Sequence, residues 1–200
     1  MRTGGWRVAL GVLGWLCMLP APGLAFDPVD RFAKGTKIVG VQFGGGVQAD
    51  FPQHAPSDVS LVNLTPRLSY VPWEPFGSGW IRGALEVGFE GWLQYYLHPD
   101  GATAAGLKAA ARYHFLELGR LVPYLEVTAG AGGTSLKVSE IRSSFTFVLE
   151  AGAGLSYFVS NSVAVNAGYR LHHLSNAGIE SPNTGVNAHT GVVGVSVFFR

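Results

Sequence analysis

Apolar and polar residues alternate with a period of two through most of the chain, which is typical of β-strands whose two faces meet different surroundings. The clearest example is the segment 81–95. Its large apolar residues, such as Leu85 and Phe89, fall on one face, whereas its acidic residues Glu86 and Glu90 fall on the other. The pattern therefore predicts a sheet with one polar face and one apolar face.

The same alternation predicts eight strands. The segments that carry it are 38–44, 62–70, 81–95, 107–115, 124–129, 145–156, 163–172 and 192–199. Residues 102–111 would also permit a helix by propensity, but their alternation favours a strand. An even number of alternating strands is typical of bacterial outer-membrane barrels. We therefore predict an all-β fold, an eight-stranded antiparallel transmembrane β-barrel with its charged residues in the lumen.

The composition supports a barrel that faces lipid. Only 14% of the residues are charged, whereas soluble domains average about 25%. The chain also has 28 glycines, and 12% of its residues are aromatic. A soluble, lipocalin-like barrel would need a more charged exterior, so that alternative is disfavoured. The charges are nearly balanced, with 14 Lys+Arg against 13 Asp+Glu, and we expect no nucleic-acid partner.

The first 25 residues have the features of a secretory signal peptide. Arg2 and Arg7 precede an apolar run at 8–19, and small residues follow up to Ala25. We therefore predict a signal peptide at 1–25 and an outer-membrane β-barrel domain at 26–200. Cleavage would remove Cys17, the only cysteine, so the mature chain would have no thiol chemistry.

The connections predict the topology. In outer-membrane barrels the longer loops face outward and the short turns face the periplasm. The segments 45–58, 97–103, 133–143 and 176–185 are then the outer loops. The segment 71–79 is long for a periplasmic turn.

Two polar residues at the end of the seventh strand are candidates for catalysis. His173 and Ser175 are two residues apart, so they share the apolar face on which Tyr169 and Leu171 lie. Polar groups that face hydrocarbon are costly and often functional. A serine hydroxyl needs a base to become a nucleophile, and imidazole can supply it. Asn187, on the same face of the eighth strand, should lie beside His173 as the third group.

The segment around these residues resembles the lipid A 3-O-deacylase (PagL-type) family of outer-membrane barrels. The string H-L-S-N-A-G at 173–178 carries the resemblance, together with P-N at 182–183 and G-V at 185–186. The resemblance implies that His173 is the general base and Ser175 the nucleophile. It also implies that a three-residue run stabilises the oxyanion: Asn176, Ala177 and Gly178. The implied reaction is hydrolysis of the acyl ester at the 3 position of lipid A.

One position departs from the family pattern. The family's glutamate is replaced by Asn187, which can orient an imidazole, as asparagine does in papain-like sites, but carries no negative charge. Glu180 in the loop is an alternative acid. The departure also favours a second hypothesis, a structural or adhesive barrel with a degenerate site.

No cofactor or metal site is expected. Because adjacent residues of a strand point to opposite faces, His172 and His173 cannot chelate one ion together, and His189 is expected at the membrane interface. The inward glutamates are expected to balance lumen cations rather than to form a glycosidase pair; the residues concerned are Glu86, Glu90, Glu126 and Glu150 against Arg67, Arg82, Lys108, Arg112 and Arg170. The expected partners are lipopolysaccharide and the outer membrane, and a homodimer is a further candidate.

Overall fold

The computed structural model describes residues 26–50, 57–99 and 101–200. The expected signal peptide at 1–25 lies outside the described residues, and its cleavage stays a prediction. Among the residues described, no helix is both long enough and apolar enough to cross a membrane.

Eight antiparallel strands form a closed barrel. The elements are α1 (Pro28–Arg31), β1 (Lys37–Gln48), β2 (Ser60–Tyr70), β3 (Gly83–His98), β4 (Thr103–Phe115), β5 (Leu121–Thr134), β6 (Phe145–Phe158), β7 (Val163–Ser175) and β8 (Val186–Phe199). Each strand pairs with its neighbours in sequence, and β1 closes the barrel against β8. The predicted fold class and all eight strands are therefore confirmed.

Most strands extend beyond the predicted segments. The ladder of β1, for example, continues through Gly44, Gly45 and Gly46 to Gln48. Backbone pairing needs no side chain, so it continues where the alternation of side chains fades. The outer loops after β1, β3 and β5 are correspondingly shorter than the sequence pattern indicates, whereas the loop 176–185 has the predicted bounds.

Side chains alternate between an apolar outer wall and a polar lumen. Leu68 and Phe89 on the outer wall are more than half exposed, whereas Glu90 and Lys108 in the lumen are fully buried. Because hydrocarbon offers no hydrogen bonds, only a closed barrel with an apolar wall can span a bilayer with strands. The distribution is the one that the sequence predicts.

Arg170 lies at the centre of the lumen network. Its guanidinium contacts Glu126 at 2.7 Å, Glu90 at 3.0 Å and Glu150 at 3.2 Å. The other buried pairs between arginine or lysine and glutamate surround it, namely Arg67–Glu86, Arg67–Glu90, Arg67–Glu126, Lys108–Glu90, Lys108–Glu150 and Arg112–Glu126. Buried charges need such partners because their desolvation is costly. The expectation that the inward glutamates balance the lumen cations is confirmed for these groups.

Arg82 is the exception. It lies directly after a single 3-10 turn at Gly79–Ile81, and β3 begins only at Gly83. A bridge between Phe76 and Gly83 folds this segment back on itself before the strand starts. The prediction that residues 81 and 82 begin the strand is therefore wrong, because alternation alone does not detect the turn. Among the described residues, no ion pair of Arg82 accompanies those of the other lumen cations.

Apolar clusters close the lumen at both ends. At the end that carries residues 176–185, here called the loop end, Trp92 and Leu136 belong to a buried cluster. At the opposite end, here called the terminal end, Phe32 packs with Phe158 and Phe198 behind α1. The lumen is thus a polar centre between two apolar caps rather than polar throughout.

Candidate active site

The pairing of β7 with β8 brings a histidine and an asparagine together on the outer wall. His173 and Asn187 are register partners, and both are half-buried. The Nδ1 of His173 lies 2.7 Å from the Oδ1 of Asn187. Because an amide oxygen only accepts, Nδ1 is the donor, and in the neutral imidazole the lone pair is then on Nε2. This is the tautomer that a general base acting through Nε2 requires.

Ser175 is the last residue of β7, and it lies on the same outer face as His173, two residues nearer to the loop end. It is half-buried and faces Phe147 of β6 across the ladder. The imidazole and the hydroxyl therefore share the outer face of β7 at the loop end of an apolar wall. The residues that follow Ser175 form the loop 176–185.

Asn176 organises that loop from within. Its side chain is fully buried; Oδ1 accepts a hydrogen bond from the Gly178 N–H at 2.9 Å, and Nδ2 donates to the Glu180 carbonyl at 2.8 Å. The Ile179 N–H also donates to the main-chain oxygen of Asn176. Ala177 and Gly178 both adopt positive φ, 53° and 81°. For a non-glycine residue this conformation is uncommon and marks local strain, often at functional sites.

The three residues expected to stabilise an oxyanion are not equivalent. The N–H groups of Asn176 and Gly178 already donate within the loop, to Asn183 and Asn176 respectively. The N–H of Ala177 donates to no other residue in the described part of the chain. Of the three main-chain donors, that of Ala177 is therefore the one available to a ligand.

Asn183 has a role that the sequence analysis did not assign. Its Oδ1 accepts the hydrogen bond from the Asn176 N–H at 2.8 Å, and its backbone pairs with Ile141 in the loop between β5 and β6. The Thr184 N–H donates to the Glu140 carbonyl beside it. Two loops thus hold the strained turn in place. The P-N element at 182–183 was the only sequence signal for this contact.

Glu140 connects the loop between β5 and β6 to a third loop, the one between β1 and β2. Its carboxylate accepts hydrogen bonds from Gln48 Nε2 at 2.8 Å and from the Ser57 N–H at 3.1 Å. Burial alone would raise the pKa of the Glu140 carboxyl, but these hydrogen bonds lower the pKa below its ordinary value. The carboxylate form is therefore favoured, and it links the loops on either side of the site.

Gly185 makes room for the histidine ring. A Cβ at this position would lie 2.7 Å from Cε1 of His173, and the φ of Gly185 is +78°. Any larger residue would displace the ring or strain the backbone. The G-V element at 185–186 therefore has a steric explanation.

The other residues considered in the sequence analysis do not contact the His173 ring. Glu180 is exposed in the loop, and Asn187 rather than Glu180 contacts the His173 ring. His172 points into the lumen, where it pairs with Glu150 at 2.9 Å. His189 is on the outer wall, and its Nδ1 lies 2.5 Å from the Tyr169 hydroxyl. Among the described residues, no group of three or more His, Cys, Asp or Glu is arranged to hold a metal ion.

Solved structures with the same architecture define the class of protein. The chain is similar to the outer-membrane enzyme PagL, with a TM-score of 0.59 and 20% identity over 78% of this chain and 97% of PagL. Neisserial surface protein A gives a TM-score of 0.54 and 19% identity, over 83% of this chain and 100% of that protein. The N-terminal barrel domain of Pseudomonas aeruginosa OprF gives 0.54 and 15% identity, over 83% and 98%. The fold is that of a small outer-membrane β-barrel.

The sequence comparison is more specific. The model of the lipid A 3-O-deacylase (PagL) family matches residues 62–196, which is more than half of the chain. The chain therefore belongs to the lipid A 3-O-deacylase (PagL) family, and the resemblance drawn from residues 173–186 is confirmed. No curated protein sequence matches the chain significantly.

Proposed function

We propose that this protein is an outer-membrane hydrolase that removes the ester-linked acyl chain at the 3 position of lipid A. The observation that carries the proposal is the contact between His173 and Asn187 on the outer wall. In the sequence, His173 is two residues before Ser175. Family membership supports the reaction class. We further propose that the loop end faces the cell exterior, at the level of the leaflet that contains lipid A.

The mechanism follows from the proposed roles. Nε2 of His173 accepts the Ser175 hydroxyl proton as Oγ attacks the ester carbonyl carbon. The oxygen of the tetrahedral intermediate takes up the negative charge and accepts a hydrogen bond from the Ala177 N–H. The intermediate collapses, the C–O bond to the sugar breaks, and His173 returns the proton to the sugar oxygen. Water then hydrolyses the acyl-serine by the same base, which releases the fatty acid.

Asn187 has the role of a positioning residue. It holds the imidazole as the Nδ1–H tautomer through a neutral hydrogen bond. A carboxylate would also stabilise the imidazolium, and a neutral amide does so less. We therefore propose that the site is active but less strongly polarised than one with glutamate at this position.

The test is the mass spectrum of lipid A from cells with and without the protein. Expression of the wild type should lower the mass of lipid A by that of one ester-linked acyl chain. The matched control is Ser175→Ala, which should give unmodified lipid A at an equal amount of folded protein, judged by heat-modifiable migration on a gel. Unmodified lipid A in the presence of abundant folded wild type would contradict the proposal.

A second candidate is a barrel without catalytic activity. The observation that favours it is the amide of Asn187 at the position where the family's glutamate is expected. The same mass spectrum separates the two, because only the enzyme changes lipid A. The homodimer considered in the sequence analysis stays a prediction.

A further inference from the structure

Tyr169 of β7 and His189 of β8 form a polar pair on the outer wall, separate from the candidate active site. The Tyr169 hydroxyl lies 2.5 Å from Nδ1 of His189, and the centroids of the two rings are 5.9 Å apart. Both residues are exposed on the face that the sequence pattern assigns to lipid. Polar groups on this face are costly in hydrocarbon and often functional. The mechanism proposed above does not use this pair.

Tyr169 is placed differently from the other outward tyrosines. It is the middle residue of β7. The others all lie within three residues of a strand end, and they are Tyr70, Tyr95, Tyr113 and Tyr157. Tyrosines of membrane proteins are enriched at the interface, where the hydroxyl meets water and headgroups. An interfacial role therefore explains the four tyrosines near strand ends, but it does not explain the hydroxyl of Tyr169.

One hydrogen bond does not use all the donors of the pair. If the phenol donates to Nδ1 of His189, the neutral imidazole carries its proton on Nε2, and that N–H is unused. If Nδ1–H donates to the phenol oxygen, the phenolic O–H is unused instead. Among the described residues, no other hydrogen bond of either side chain accompanies this one. In both tautomers one donor therefore needs an acceptor from outside the protein, because an unpaired donor in hydrocarbon is costly.

The neighbours of the pair are small or apolar. In the ladder, Tyr169 faces Gly191 on β8 and Ala153 on β6. His189 faces Leu171 on β7. A Cβ at Gly191 would meet no atom within 4 Å, so the wall is open beside the phenol. None of these neighbours has a side chain that accepts a hydrogen bond, and the open surface gives a lipid room to supply one.

The pair is close to the candidate active site. His189 follows Asn187 by two residues on the same face of β8, and Asn187 contacts His173. Two residues of a strand span about 7 Å, which is the displacement of His189 from Asn187 along the wall, away from the loop end. A lipid whose ester lies at Ser175 therefore has the beginning of its acyl region beside Tyr169 and His189.

We propose that Tyr169 and His189 form a second polar site, which donates a hydrogen bond to an oxygen in the acyl region of the substrate lipid. The inference rests on the proposed function. Two acceptors share this chemistry: a hydroxyl on the acyl chain that is cleaved, and the carbonyl of a neighbouring acyl linkage. A plain alkyl chain at this position would leave the donor without a partner. The pair thus selects the substrate by polarity, in surroundings where apolar contacts distinguish one lipid tail from another only weakly.

The kinetic test uses the full chain folded into phospholipid vesicles, with lipid A preparations whose 3-position chain does or does not carry a hydroxyl. Tyr169→Phe and His189→Phe each remove one partner of the pair and keep a ring in its place. Both should lower kcat/KM by about tenfold, the upper range for one neutral hydrogen bond. A loss confined to the hydroxylated substrate identifies the chain hydroxyl as the acceptor. An equal loss on both substrates, together with the spectroscopic change described below, identifies a carbonyl.

The matched control is Tyr157→Phe. It makes the same chemical change at an outward tyrosine that lies one residue from the end of β6. This variant should keep the wild-type kcat/KM on both substrates. An active wild type whose rates are unchanged in Tyr169→Phe and His189→Phe would overturn the proposal and leave the proposed function intact.

A spectroscopic measurement tests the hydrogen bond without catalysis. Ser175→Ala protein with 15N-labelled histidine is titrated with lipid A, and the His189 signals are assigned with His189→Phe. These signals should shift with lipid A, because a new acceptor polarises the bonded pair, and they should not shift with phospholipid alone. Such a shift supports the site even if the wild type releases no fatty acid. Unchanged His189 signals at saturating lipid A, or an equal shift with phospholipid alone, would overturn the proposal.

Discussion

His172 and His173 are neighbours in β7, yet they belong to different environments. His172 is fully buried in the lumen, and it contacts the carboxylate of Glu150. His173 is half-buried on the outer wall, and it contacts the neutral amide of Asn187. The first hydrogen-bonds to a carboxylate that belongs to the buried lumen network, whereas the second lies at the edge of an open apolar groove. The comparison shows that the face of the strand on which a histidine lies, rather than the residue type, decides its environment. A histidine on the lumen face stabilises the barrel, whereas one on the outer face can contact a lipid.

The largest effect on activity is expected when His173 is replaced and His172 is kept. His173→Gln should lower deacylation by about 10³-fold, because the general base is lost, with little change in folding. His172→Gln should keep the activity per folded molecule and lower the free energy of unfolding by about 1–2 kcal/mol through its weakened bond to Glu150. Lipid A hydrolysis and urea unfolding of the same preparations measure both. Equal loss of activity in the two variants would contradict the distinction between the faces.

The second prediction concerns the lumen alone. Arg170→Met should lower the free energy of unfolding by about 3–5 kcal/mol, because Glu90, Glu126 and Glu150 would lose a buried partner. The fraction that still folds should hydrolyse lipid A normally. Arg142→Met, a change of the same type at an exposed loop residue, is the control and should unfold like the wild type. Unfolding of Arg170→Met at wild-type urea concentrations would argue against a structural role for the network.

The third prediction, which has the smallest expected effect, concerns Asn187 on the outer wall. Asn187→Asp keeps the side-chain length of the 2.7 Å contact and adds a negative charge, so kcat should rise by about tenfold through stabilisation of the imidazolium. Asn187→Leu should instead lower kcat, because the ring loses its acceptor. Steady-state rates on lipid A in detergent micelles measure both. Leucine and aspartate variants with the same rate as the wild type would show that Asn187 does not position His173.

The faces of the barrel and the polar pair at the end of β7 could be predicted because they depend on a period of two, which is local. Each pleat turns the side chain over, so counting from Val163 to Ser175 assigns a face without any tertiary information. The turn at Gly79–Ile81 was missed for the same reason, since a short irregular segment interrupts the period without a strong signal.

By itself, the sequence determined that the chain forms an eight-stranded barrel and that His173 and Ser175 face away from its lumen, because alternation and burial are coupled residue by residue. Only the tertiary structure decided which donor of the 176–178 run is available, since the Asn176 N–H donates to Asn183 Oδ1 and the Gly178 N–H donates to Asn176 Oδ1. It also decided that alanines from three strands align with His173 as one groove. Such lateral alignment depends on the register between strands, and periodicity within one strand carries no information about it.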